Sequence, residues 1–324
     1  MKRRIYQSLL YMCLLPVVAV GCSSDITIPG SSPVDEGQLR PVFIEESFIE
    51  TGVPTRAATG VSGGSMGVFL ASTNNYTAKY NVQYTYSASA TPKWGATTPI
   101  YVGGENAVLS AYYPYGSVTF NAGSTVATLD AQAYSDTKDM CYTHTGGAAV
   151  CNKTPQVTFN MVRAYSRLLF SITRSTTQPY PNACKVTQVK MAPDGSGKEF
   201  YTKRTLDISK AAGTAGQLGG TKAADWTLNT SSLAMGSGIA AGATQQIDML
   251  FPPQTFTANT DTKITLTIDN KPYIATIPYV SFKEMGAGKY NEVKLEIQGT
   301  ALVLGSVTTT DWVTGSHDLG SKFD

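Results

Sequence analysis

Ser65 stands in a G-x-S-x-G pattern, Gly63-Gly64-Ser65-Met66-Gly67, with His317 downstream. Nucleophile and base follow in that order in serine hydrolases of the α/β type. Their chemistry needs a strand before the serine and a helix behind it, so that N–H groups at the helix start can stabilise an oxyanion. Here a small-residue loop precedes Ser65 and a β-type run, Val68-Phe69-Leu70, follows. The pattern therefore reads as a Gly-rich entry to a strand, and a Ser65/His317 esterase is the remote alternative.

Other reactive residues are sparse. Cys141 and Cys151 enclose the short Gly-rich segment 142–150, and a loop of that size is easily closed as a disulfide-stapled hairpin. His144 lies between them, but no fourth ligand has zinc-finger spacing, so no metal is expected. Gly195-Ser196-Gly197-Lys198 lacks the leading glycine and trailing hydroxyl of a phosphate loop, with Ala192 and Glu199 in those places. It reads as a turn. The pair Glu45/Glu46 falls in a segment expected to be exposed or lost, and sequence alone gives no glycosidase pair, which is defined by spatial separation. Tyr84, Tyr86, Tyr112, Tyr113 and Tyr115 could stack on sugars, although such rings more often pack sandwich cores. No cofactor is implied.

The first residues carry an address. Lys2-Arg3-Arg4 precede an apolar run ending in Ala19-Val20-Gly21-Cys22, which is too short and too early for a spanning helix and fits a lipoprotein signal. Cleavage before Cys22 would leave a thiol and an amine for acylation, and several chains anchor stably where one does not. Residues 1–21 are thus the signal and 22–40, rich in Ser, Pro and Gly, a tether.

The 324 residues carry 25 basic and 23 acidic side chains. Loss of Lys2, Arg3 and Arg4 leaves 22 against 23, which is no nucleic-acid footprint. Gly, Ser and Thr are abundant and no helix of three turns stands out, so the chain reads as all-β and extracytoplasmic. The positioning elements are short strands at sandwich spacing: 67–71, 82–87, 100–102, 107–113, 117–121, 156–160 and 166–173. Pro179 and Pro181 mark a linker, and a second group starts at Lys185. Its clearest hairpin alternates Ile264, Leu266 and Ile268 with threonines, turns at Asp269-Asn270-Lys271 and returns through Tyr273–Tyr279. The reading places one domain over 41–174 and another over 175–324.

Several short pieces, in order and spacing, resemble the fimbrillin family, the Mfa-like subunits of type V pili of Gram-negative gut and oral anaerobes. They are Cys22; Thr55-Arg56-Ala57; Met66-Gly67-Val68-Phe69; Ala111-Tyr112-Tyr113-Pro114-Tyr115; Asp139-Met140-Cys141-Tyr142; Val157-Thr158-Phe159-Asn160 leading to Tyr165-Ser166-Arg167-Leu168-Leu169-Phe170; and Asp311-Trp312. Where many relatives have a histidine ahead of the Ser-Arg-Leu run, this chain has Arg163-Ala164-Tyr165. The resemblance implies two tandem transthyretin-like Greek-key β-sandwiches and export as an outer-membrane lipoprotein. It also implies cleavage between Arg56 and Ala57 by an Arg-specific trypsin-like protease, removing a first strand within 41–56. A strand from another pilin subunit would then fill the groove, as expected of an open edge over an apolar core. The donor region is 301–313, with Leu302, Leu304, Val307 and Trp312 as its apolar side chains. Cleavage would leave 20 basic residues against 17 acidic ones, since Arg40, Arg56 and six carboxylates depart. The alternative is a lipid-anchored or pilus-tip adhesin that binds glycan or host protein through its loops.

Overall fold

Alternating apolar and polar side chains build nearly every element. In the computed structural model, which describes residues 37–50, 59–73, 75–229 and 238–312, the regular structure is strand except for a 3-10 turn at Tyr279–Ser281.

The first sheet runs from Ala107–Tyr113 through Ser65–Leu70, Lys79–Tyr86 and the short Trp94–Gly95 to Phe43–Ile49, Gln156–Arg163 and Cys141–Thr143. Cys141–Thr143 pairs with Gln156–Arg163 on one side and with Tyr112 and Tyr113 on the other, so the sheet curls back on its own start. Inside lie Ile44, Met66, Val68, Tyr84, Trp94, Phe159 and their neighbours. Gly67 allows one close approach: a Cβ there would run into the Tyr112 ring and the Asn81 side chain.

A second core lies between two sheets. One contains Gln132–Ala133, Thr244–Phe251, Ser166–Arg174, Lys289–Gln298 and Ala301–Asp311; the other contains Trp226–Asn229, Val186–Pro193, Thr262–Ile268 and Lys271–Ile277. The hairpin Thr262–Ile268/Lys271–Ile277 matches the alternation read from sequence. Its turn is two residues long, because Asp269 and Asn270 both take positive φ (46° and 65°) and Ile268 pairs directly with Lys271. That double left-handed turn matches the twist of the flanking strands.

Two expectations need correction. The boundary expected after Arg174 does not hold: Ser166–Arg174 is a central strand between Thr244–Phe251 and Lys289–Gln298, and Leu168, Phe170 and Ile172 enter the second core. The chain crosses between cores at Arg163-Ala164-Tyr165, a connection too short to leave a linker signature. The halves also share a four-stranded sheet: Val126–Asp130 pairs with Phe200–Asp207, flanked by Thr119–Phe120 and Leu218–Ala223. A third apolar cluster fills the junction and includes Phe69, Tyr112, Leu129, Tyr165, Leu250 and Trp312.

The expected Cys141–Cys151 staple is absent. Cys141, Cys151 and Cys184 are buried and none forms a disulfide, and the Cys151 sulfur lies 3.5 Å from the Thr154 hydroxyl. Segment 141–151 is no simple hairpin, because both its strands lie end to end along Ala107–Tyr113: Cys141 opposes Tyr113, whereas Val150 opposes Ala107. Six residues of strand separate those points by roughly 20 Å, well beyond the ~7 Å between Cα atoms that a disulfide tolerates. Burial raises the Cys141 thiol well above its ordinary pKa, which further suppresses its thiolate.

Candidate assembly site

Phe43–Ile49 lies parallel to Gln156–Arg163 in the body of the first sheet. A bulge skips Glu45, so Ile44 and Ser47 both turn inward while Glu45 and Glu46 stay in water. Ile44 is 0% exposed, stands in register with Val157 and shares a buried cluster with Val157, Phe159 and Met161. Burying such a side chain contributes about 1.5–3 kcal/mol. The opposite side of the strand meets the sheet through two short pairings, Ile44 with Trp94 and Phe48–Ile49 with Thr59–Gly60, against six paired positions on the Gln156–Arg163 side. The strand is therefore held mainly by the Gln156–Arg163 ladder, and the chain leaving it enters 51–58.

The inward row of that ladder, Val157, Phe159 and Met161, ends in Arg163, which is only 6% exposed. Its Nε donates to Asp139 Oδ2 at 2.8 Å and its Nη1 to the Trp312 carbonyl at 3.3 Å. The guanidinium also lies 4.4 Å from the Trp312 ring centre, a desolvated cation–π geometry. Asp139 Oδ1 is buried with no hydrogen-bond partner. Burial outweighs the attraction of Arg163 and raises the Asp139 carboxyl to about 6.

A second pair stands beside it. Arg167 donates to both Asp248 oxygens, at 2.6 Å from Nη2 and 3.0 Å from Nε, and its guanidinium lies 3.6 Å from the Tyr134 ring centre. Burial works to lower the Arg167 pKa, but Asp248 more than offsets it and the guanidinium stays above its ordinary value. Burial also raises Asp248 and Tyr134, whose hydroxyl donates to Asp136 at 2.5 Å. Trp312 meets Tyr134 edge-on, with ring centres 5.7 Å apart, and its backbone N–H donates to the Gly288 carbonyl at 2.8 Å.

Trp312 closes the long strand Ala301–Asp311, which pairs antiparallel with Lys289–Gln298 at the outer edge of its sheet. Leu302 is buried in the second core, and Leu304 and Val307 pack against it. Thr309 donates to Asn291 Oδ1, and Asn291 donates to Ser166 Oγ, both at 2.8 Å. This chain of side chains, exposed at Thr309 and buried at Asn291 and Ser166, pins the register of three strands. The four expected donor side chains are thus all engaged within their own subunit. Trp312 is 2% exposed and sits in the junction between the cores rather than on the second core with the others.

Other candidates fall elsewhere. Ser65 begins the strand Ser65–Leu70, its hydroxyl hydrogen-bonds Thr85 at 2.9 Å, and no helix follows it, so the elbow geometry is missing. His317, Cys22, Arg56 and Ala57 lie outside the described residues. His144 Nδ1 stands 3.9 Å from Glu50, and no group of three metal-ligating side chains occurs among the described residues. Asp139, Arg163, Arg167 and Trp312 are scattered along the sequence; their meeting depends on three strands and a loop brought together from 139–312. The one local signal was the charged end, Arg163, of an otherwise apolar alternating row.

The sequence profile of the fimbrillin-like family matches residues 55–312. No curated protein matches the chain. Among solved structures, a candidate cell-adhesion protein from Bacteroides uniformis is 18% identical, with TM-score 0.54 over 84% of this chain and 98% of that one; it shows a shared fold. A candidate cell-adhesion protein from Bacteroides ovatus is 14% identical (TM-score 0.49; 85% and 99% covered). The fimbrial anchor protein Mfa2 from Porphyromonas gingivalis is 8% identical (TM-score 0.41; 85% and 98% covered).

Proposed function

The chain belongs to the fimbrillin-like family, and from that premise we propose that it is a structural subunit of a cell-surface fimbria that assembles by strand exchange. It is exported as a lipoprotein acylated at Cys22. An Arg-specific trypsin-like protease cuts between Arg56 and Ala57, and the segment carrying Phe43–Ile49 departs with the lipid. The single observation that carries the reading is the placement of Phe43–Ile49: it joins the first sheet by a parallel ladder to Gln156–Arg163 and its Ile44 shares a buried cluster with Val157, Phe159 and Met161. Its loss would expose both unpaired backbone groups and apolar core, each costly in water. A strand from another pilin subunit, drawn from 301–313, restores both.

The test is the N-terminus and intact mass of surface-recovered protein before and after limited trypsin. A start at Ala57 accompanied by multimers is expected, and Arg56→Ala abolishes both. Polymer formed by an uncleavable chain overturns the mechanism.

One observation favours a second reading. Trp312 and Leu302 are firmly seated in their own subunit, as expected of a tip or lipid-anchored adhesin that donates no strand and binds glycan or host protein through its loops. A persistent Cys22 start without assembly, together with saturable binding on a glycan array, would select it.

A further inference from the structure

Lys79–Tyr86 pairs with Ser65–Leu70 across a bulge at Tyr80 and Asn81, but among the described residues only Thr85 and Tyr86 are paired on its other side, with Gly95 and Trp94. Among the described residues Lys79–Tyr84 has no strand partner on that side, an open edge of roughly 20 Å. The reason lies in one side chain. The facing wall at Ile100 is fixed by its own N–H, which donates to the Tyr84 hydroxyl at 3.0 Å, while Val42 N–H donates to the Ile100 carbonyl at 2.8 Å. A tyrosine side chain thus holds the wall at its own length from the strand, too far for a backbone ladder.

The gap is a groove of about 1140 Å³ with Leu70, Val82 and Ile100 among its lining and Thr97 and Thr98 on its wall. Leu39 (62% exposed) and Tyr101 (49%) also line it. Lys79 is its only charged lining residue among those described. Unpaired edge groups beside an apolar lining fit an extended chain better than a compact ligand. The groove is also continuous with the seat of the first strand, because Arg40–Pro41 pairs with Tyr101–Val102 on its wall. Leu39 and the Val42 bond would leave with that strand.

We propose that this groove is a ready-made landing site for the C-terminal strand of a second copy, which adds to the open edge of Lys79–Tyr84 before it occupies the seat of Phe43–Ile49. The inference rests on the strand-exchange reading and specifies where the donor first engages. Charge favours this occupant: residues 301–310, Ala-Leu-Val-Leu-Gly-Ser-Val-Thr-Thr-Thr, carry no charge, and Asp311 follows them. Such a strand buries no unpaired ion in a groove whose one charge is a lysine, and its Leu302 and Leu304 share one side as apolar inserts.

The test uses a synthetic peptide of residues 301–312 added to the uncleaved full chain, read by hydrogen exchange. About tenfold slower exchange is expected at 79–84 and 97–101. The effect disappears with a peptide carrying Leu302→Asp and Leu304→Asp. It weakens in Thr98→Trp, which fills the groove from an exposed position, and persists in Thr98→Ala. Absence of protection at 79–84, or protection confined to 156–163 and seen only after cleavage at Arg56, overturns the landing site. If cleaved chains polymerise while uncleaved chains show no protection, the landing site alone falls. If the peptide protects 79–84 but cleaved chains never polymerise, strand exchange falls and the groove stands.

Discussion

Arg163 ends the strand that holds Phe43–Ile49, and Trp312 ends the run that closes the C-terminal strand; the guanidinium of the first lies 4.4 Å from the ring centre of the second and donates to its carbonyl. One contact therefore joins the seat of the first strand to the end of the last. Perturbing either residue reports on whether the C-terminal strand is held independently of the rest of its sheet.

Trp312→Ala removes a buried indole that touches Arg163, Arg167 and Tyr134. Truncations of this size typically cost ~3–5 kcal/mol. The loss should be local: amides of 306–311 exchange faster, while the Thr262–Ile268/Lys271–Ile277 hairpin, which lies on the other sheet, is unchanged. Uniform acceleration across both would show that Trp312 supports the whole domain instead of clasping one strand.

Arg163→Met leaves Asp139 buried without its ion-pair partner. Breaking a buried pair from one side costs about 3–5 kcal/mol. Arg163→Lys recovers only part of this, since an ammonium cannot serve the carboxylate, the Trp312 carbonyl and the ring together. The double variant Arg163→Met/Asp139→Leu should regain much of the loss. Urea midpoints of the four proteins decide the matter, and a double variant no better than Arg163→Met would refute the ion-pair origin of the penalty.

Asp139 gives the protein a pH dependence with a definite sign. Its folded pKa, about 6, exceeds the ordinary 3.8 because burial outweighs Arg163, so the native state binds the proton more tightly than the unfolded chain. The resulting stabilisation is complete below about pH 4 and is lost as pH rises through 6; at most it amounts to ~3 kcal/mol. Asp248 is raised by burial in the same direction, whereas Asp207 is lowered, against its burial, by hydrogen bonds from Ser209 and Thr125. The contribution is therefore read as the difference between the parent and Asp139→Asn. That difference should shift in favour of the parent on going from pH 7 to pH 4.5, and a constant difference would contradict the assignment.

Strand-by-strand features were legible because they are local. Ile264, Leu266 and Ile268 announce a half-buried strand wherever it pairs, and Asp269-Asn270 announces a tight turn because both residues accept positive φ. Phe200–Asp207 and Thr244–Phe251 carry no clean alternation, since their burial is irregular and Asp248 is held by a side-chain pair with Arg167 on the neighbouring strand. The Cys141–Cys151 staple failed for a related reason: ten residues of separation describe the chain, whereas the distance between thiols depends on which strand each flank pairs with.

Taken alone, the amino-acid order determined an all-β chain of short alternating strands, its turns, and the apolar rows that would face inward, because side-chain alternation and turn chemistry depend on neighbours in the chain. Only the tertiary structure decided that Ser166–Arg174 belongs to the second core, that Val126–Asp130 and Phe200–Asp207 share a sheet, that Tyr84 props open an edge, and that Asp139, Arg163 and Trp312 converge. Those outcomes are choices of pairing partner among strands of similar pattern. They are settled by the combined burial and hydrogen-bond satisfaction of residues far apart in the chain, which no local window contains.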